Sequence, residues 1–124
     1  MTARRSQSYT CPIRDVLDRV GDAWSVLVIL ELSRGACRFN ALQRVISGIS
    51  ARMLSVTLRH LERDGLVTRK VLDSSPPQVE YALTETGQSL NEAMGKLAQW
   101  AEANQPKIRK SRADYDAGQE QAVG

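Results

Sequence analysis

A chain of 124 residues, 42% hydrophobic and 25% charged, has the composition of one ordinary globular domain, which excludes wholesale disorder and leaves no room for two independent cores. Net charge is +3 but uneven: residues 1–70 carry twelve Lys/Arg against six Asp/Glu, and residues 71–124 carry five against eight. The most apolar run, Trp24 to Leu32, is broken by Ser25 and Glu31 and falls far short of the ~20 residues of a membrane span; the opening MTARRSQSYTCP has no signal-peptide apolar region, so a cytoplasmic protein without a membrane partner is expected.

Residues 1–10 read as an N-terminal arm, residues 11–104 as the folded domain and residues 105–124 as a tail. Pro12 at a first helical position, followed by Ile13, Val16, Leu17 and Val20, predicts a short amphipathic helix ending at Gly21. Trp24 through Ser33, with Leu27, Val28, Ile29, Leu30 and Leu32, predicts a deeply buried helix stopped by Gly35. Phe39, Leu42, Val45, Ile46 and Ile49 repeat at helical spacing and predict a third helix closed by Ser47 and Gly48. Ser50 is an N-cap and Gly65 a left-handed stop for a fourth, at about residues 51–64.

From Val67 the period changes to alternation, giving two strands around a turn that runs from Asp73 to Gln78, where the pair Pro76 and Pro77 places residues 74–78 at an exposed tip. Thr84 is the expected N-cap of the last helix. Leu90, Met94, Leu97 and Ala101, with Trp100 alongside, form an apolar seam there, read as a surface for a second subunit or as cover for the domain's own core. After Asn104 the periodicity fades, and the charged tail is expected to be flexible.

The fourth helix carries the chemistry. At about 100° per residue, Leu54, Leu58 and Leu61 fall within roughly 60° of one another, while Arg52, Arg59 and Arg63 cluster within about 40° on the far side. Such a helix docks by its leucines and turns guanidinium groups outward. Helix, helix, turn, capped basic helix, then hairpin is the order of a winged helix-turn-helix: mainly α, with a small β-hairpin wing. A major groove about 12 Å wide admits one helix, and Arg52, Ser55, Val56 and Arg59 lie on the accessible arc, with backbone amides at the Ser50 end suited to a phosphate. Arg63 is assigned to a phosphate or solvent, Met53 to packing, and Val56 to packing or a thymine methyl. Arg69 and Lys70 add charge on the hairpin.

Other chemistries find little support. Cys11, Cys37 and the single His60 supply no zinc spacing, no cofactor is called for, and neither a catalytic triad nor a Gly-rich phosphate loop is present, so no enzyme is expected. With 5% aromatics there is no stacking platform for single strands. A winged helix used as a protein-interaction module keeps the fold but has no need of the arginine stripe. Cys11 precedes a helix and has Arg4, Arg5 and Arg14 nearby in sequence, an environment that favours thiolate; it reads either as a redox-responsive thiol or as a packed one. A small-molecule effector between Trp24, Trp100 and the dimer helices is a further reading.

CPIRDVLDRVGDAWSVLVILEL, GACRFNALQRVISGISARMLSVTLRHLERDGLVTR and PPQVEYALTETGQSL resemble successive parts of the HxlR-type winged helix-turn-helix regulators, relatives of the MarR-like repressors, over about residues 11–101. The resemblance implies a homodimer docking through its first and last helices on a pseudo-palindromic double-stranded operator. It implies that Ser50, Ala51, Arg52, Ser55, Val56 and Arg59 enter the groove. It makes Arg38, Arg69 and the tip with Ser74, Ser75 and Gln78 backbone contacts. Some members look like oxidant sensors with a cysteine in the same Cys-Pro context, which adds weight to Cys11.

Overall fold

The computed structural model describes residues 12–14, 19 and 21–123, the last two by backbone. Residues 12–14 and Arg19 are helical; Cys11 and most of the predicted first helix lie outside the described residues. In chain order follow α1 (Ala23–Leu32), β1 (Cys37–Arg38), α2 (Phe39–Val45), α3 (Ala51–Arg63), β2 (Val67–Leu72), β3 (Gln78–Leu83) and α4 (Glu85–Val123).

Helix α1 starts where Asp22 accepts the Trp24 amide at 3.1 Å and, through its other oxygen, the Ser25 hydroxyl at 3.0 Å, so Ser25 is buried with its polar atom paired. Val28, Ile29 and Leu32 face the core, but Leu27 and Leu30 are 42% and 45% exposed; this helix is one-sided rather than deeply buried as expected. Helix α2 is shorter than predicted, ending at Val45, because Ile46 leaves helical geometry to reach the core with Ile49.

Helix α3 matches the sequence closely. The Ser50 hydroxyl accepts the Met53 amide at 3.0 Å. At the other end Gly65, at φ +76°, lets its amide bond Glu62 and the Leu66 amide bond Leu61, the paired bonds of a Schellman stop. Leu54, Leu58 and Leu61 are at most 1% exposed, worth about 1.5–3 kcal/mol each relative to water.

The wing differs in one respect. Alternation in the sequence predicts two strands; the sheet has three, in the order β1-β3-β2, all antiparallel, with Cys37 opposite Tyr81 and Arg38 opposite Glu80. Cys37 therefore stands in a strand, and Gln78 opens β3 rather than lying in the tip.

Residues through Asn91 form one compact unit and residues from Glu92 another. Thr84 caps α4: its hydroxyl donates to the Gly65 carbonyl at 2.6 Å and accepts the Gly87 amide at 3.0 Å, while its amide donates to Leu66 at 3.0 Å. In the second unit the helix continues through Pro106 to Val123, so residues 105–124, expected as a flexible tail, are helical as far as described. Loss of an apolar period is not loss of helix propensity: Lys, Arg, Ala, Glu and Gln dominate there, and Lys110 bridges Asp114 one turn on at 2.7 Å. Met94 is buried, whereas Leu97 and Trp100 are exposed.

A Cβ on Gly87 would stand 2.1 Å from the Leu66 carbonyl oxygen, whereas one on Gly95 would meet open space. Gly87→Ala is expected to lower stability by about 1–3 kcal/mol, and Gly95→Ala to raise it by about 0.5–1 kcal/mol, both read from urea midpoints. Equal midpoints for the two variants would contradict this packing.

Candidate nucleic-acid interface

Because its leucine face is fixed in the core, α3 has one free orientation. Arg52, Arg59 and Arg63 are exposed, as are Ser50 and Ala51, while Ser55 and Val56 are half-buried. Met53, expected to pack, is 41% exposed. Thr57, between these faces, is buried and belongs to the core side.

The sheet adds two cross-strand rows. Cys37, Tyr81 and Arg69 lie side by side across β1, β3 and β2 on one face; Arg38, Glu80 and Lys70 lie side by side on the other. Between sheet and helix run two open clefts that share Ser55 and Tyr81. One is bounded by Arg38, Asn40, Pro77 and Gln78, the other by Arg59, Glu62 and Arg69. Tyr81 is 8% exposed and forms their common floor.

Predicted residues are thus sorted. Arg38, Ser55, Arg59, Arg69 and Gln78 line one continuous surface; Ser50, Ala51, Arg52 and Val56 remain on α3, and Ser74 and Ser75 remain at the hairpin tip, without lining either cleft. The tip is shaped locally, the Ser74 hydroxyl donating to the Pro76 carbonyl at 2.8 Å. Gln78 does something sequence could not show: its side-chain carbonyl accepts the Arg38 guanidinium at 2.8 Å. Asn40, Glu62 and Tyr81 were not singled out from sequence. Alternation marks Tyr81 as one face of a strand, but its cleft needs β1, which at two residues has no readable period.

The surface is a mixed one. Arg38, Arg59 and Arg69 line it from three elements, and Glu62 stands beside Arg59 and Arg69. Guanidinium forks suit phosphate oxygens and guanine edges, and half-buried Ser55 supplies a small polar contact at the floor.

Known proteins match most of this chain. The HxlR-like helix-turn-helix family matches residues 19–109. The HTH-type transcriptional regulator YtfH of Escherichia coli is 42% identical over 98 residues, 79% of this chain and 78% of that protein. Among solved structures, the transcriptional regulator ytfH from Salmonella typhimurium superposes with a TM-score of 0.70 at 38% identity, covering 85% of this chain and 94% of that one. The redox regulator HypR in its oxidized form gives 0.68 at 39% identity, covering 76% and 97%.

Cys37 is half-buried next to this surface, and its thiol is pushed above the ordinary value, chiefly by burial and then by the Glu31 carboxylate, against the opposing pull of the Arg38 amide and Arg44. A raised value keeps the thiol protonated, hence weakly nucleophilic, until the pH passes it. In a Cys11→Ser chain, iodoacetamide labelling of Cys37 is expected to be slow at neutral pH and to keep rising through the alkaline range. A rate that levels off below about pH 8 would contradict the burial effect.

Proposed function

This chain belongs to the HxlR-like helix-turn-helix family of transcriptional regulators, and we propose that it acts as a homodimer on a pseudo-palindromic operator in double-stranded DNA. The observation that carries the reading is the orientation of α3: leucines at most 1% exposed on one side, Arg52 and Arg59 exposed on the other. In this reading α3 enters the major groove, Arg59 reaches a base edge, and Arg52 meets a base or phosphate beside the amides of Ser50 and Ala51. Ser55 and Val56 make close contacts. Arg38, held by Gln78, and Arg69 take phosphates on the flanks, with Ser74 and Ser75 at the tip.

The dimer would use the seam of Leu90, Met94, Leu97, Trp100 and Ala101, together with the first helix, placing two recognition helices about 34 Å apart. Exposure of Leu97 and Trp100, and of Leu27 and Leu30 on α1, supports a partner surface. Cys11, whose Cys-Pro context the sequence shares with oxidant-sensing members of the family, would shift the dimer on oxidation. The likeness to the redox regulator HypR supports that role. The small-molecule effector has no comparable observation behind it, and a protein-interaction module would leave the exposed arginines without a task.

Binding to duplex DNA at two salt concentrations tests the reading. Arg59→Ala is expected to weaken specific binding by about 1–3 kcal/mol with the thermal midpoint unchanged, whereas Arg38→Ala lowers the salt slope by about one per protomer without changing sequence preference. Absent or salt-independent binding would favour the protein-module reading. For the thiol, diamide is expected to reduce operator affinity in wild type and not in Cys11→Ser; equal loss in both sinks the Cys11 switch.

A further inference from the structure

We propose that the cleft between the sheet edge and α3 is a phosphate site, in which Arg38, Asn40, Ser55, Gln78 and Tyr81 donate hydrogen bonds to one backbone phosphate of a bound duplex. This rests on the DNA reading and deepens it, giving a ligand to Asn40 and Tyr81, to which that reading assigns no role.

The first observation is the chemistry of the lining. Arg38 is the one charged side chain on this cleft, and the other polar groups are two amides and two hydroxyls. The neighbouring cleft carries Glu62 beside Arg59 and Arg69, which opposes an anion there. A guanidinium only donates, so the Arg38 bond to Gln78 at 2.8 Å occupies the Gln78 carbonyl and leaves its amide nitrogen as a donor. Glu80 stands opposite Arg38 in the sheet, yet it forms no ion pair with that residue and does not border the cleft. Donors thus outnumber acceptors. The complementary ligand is one that only accepts, and a phosphodiester has charged oxygens and no proton to give. The cleft has a volume of about 310 Å³, and its apolar walls, Phe39, Pro77 and Val79, suit the carbons of the adjoining sugar.

The second is the Tyr81 hydroxyl. Tyr81 is 8% exposed, and among the described residues its hydroxyl has no hydrogen-bond partner. A buried phenol ordinarily finds one. The enclosed side-chain polar atom left unpaired among the described residues is Oδ1 of Asn91, so the Tyr81 oxygen is not sealed in the core but opens where its ring floors the clefts. Ser55, half-buried beside it, also forms no side-chain hydrogen bond among the described residues. Two hydroxyls, one from β3 and one from α3, therefore meet at the floor without partners, while β1 and α2 bring Arg38 and Asn40 to the same cleft. A phosphate seated there is held from four elements at once. Such a contact carries no base preference; it sets the register of α3 and the sheet on the strand.

Neutralising the DNA backbone one phosphate at a time tests the site. In a genomic fragment selected by the full chain, each phosphate of one half-site is replaced in turn by an uncharged methylphosphonate. Wild type is compared with Tyr81→Phe, which keeps the ring and removes only the hydroxyl. On unmodified duplex Tyr81→Phe is expected to bind about three- to tenfold more weakly, with thermal midpoint and salt slope unchanged, and Asn40→Asp, which brings a carboxylate into the cleft, about tenfold more weakly. At one phosphate position the neutral replacement is expected to weaken wild type and to cost Tyr81→Phe markedly less, because the two changes remove the same contact. Losses that add independently at every position overturn the site; if Arg59→Ala still weakens binding, the DNA reading stands. If wild type binds no duplex, that reading falls, and phenyl phosphate titrated without DNA decides the site. A saturable shift of the Tyr81 ring resonances, abolished by Asn40→Asp, then assigns the cleft to a free phosphate ester, and no shift overturns the phosphate site as well.

Discussion

Rotation of α3 about its own axis is the constraint on which the rest of the molecule depends. Leu54, Leu58 and Leu61 reach essentially complete burial, and turning the helix by one residue would carry part of that face into water while driving guanidinium groups into the core. Several kcal/mol of apolar burial oppose such a turn, and a buried unpaired charge opposes it further. The outward arc is therefore set by what lies behind it. Among the described residues Arg52 and Arg59 make no hydrogen bond or ion pair, and both side chains are exposed.

A second fixed point lies where three elements meet. Gly65 ends α3, Leu66 leads into β2, and Thr84 starts α4, and a cluster of short hydrogen bonds ties all three together. The Gly87 backbone packs against Leu66 so closely that no side chain fits between. Hairpin and α3 thereby share an anchor at the end away from the Ser50 cap. The ion pair from Arg19 to Asp64, 2.6 Å long, adds to the same corner from the N-terminal side.

Much of this was legible in the sequence because it rests on local rules. Ser50 and Gly65 bracket α3 by cap chemistry, and the leucine spacing gives its buried face without any knowledge of the neighbours. Thr84 as a cap is equally local. What could not be read depends on contacts far apart in the chain. Strand β1 is two residues long and exists because β3 accepts it; the Arg38–Gln78 bond follows from that pairing across 40 positions. Ile46 abandons α2 for a core whose shape periodicity does not reveal. The helix after Asn104 is hidden for the opposite reason: apolar periodicity marks a helix that packs on something, and a charged, exposed helix carries little of it. Leu27 and Leu30 show a similar limit, since a run of apolar residues does not say how much of it the chain itself covers.

Glu62 opens onto the same cleft as Arg59 and Arg69, and Glu80 sits between Arg38 and Lys70 in the sheet. Each carboxylate offsets part of the attraction that the arginines exert on any polyanion, whatever its sequence. The long-range pull of such a surface on a polyanion is weaker than its arginines alone would exert, and the reach of that pull shortens further as salt screens it.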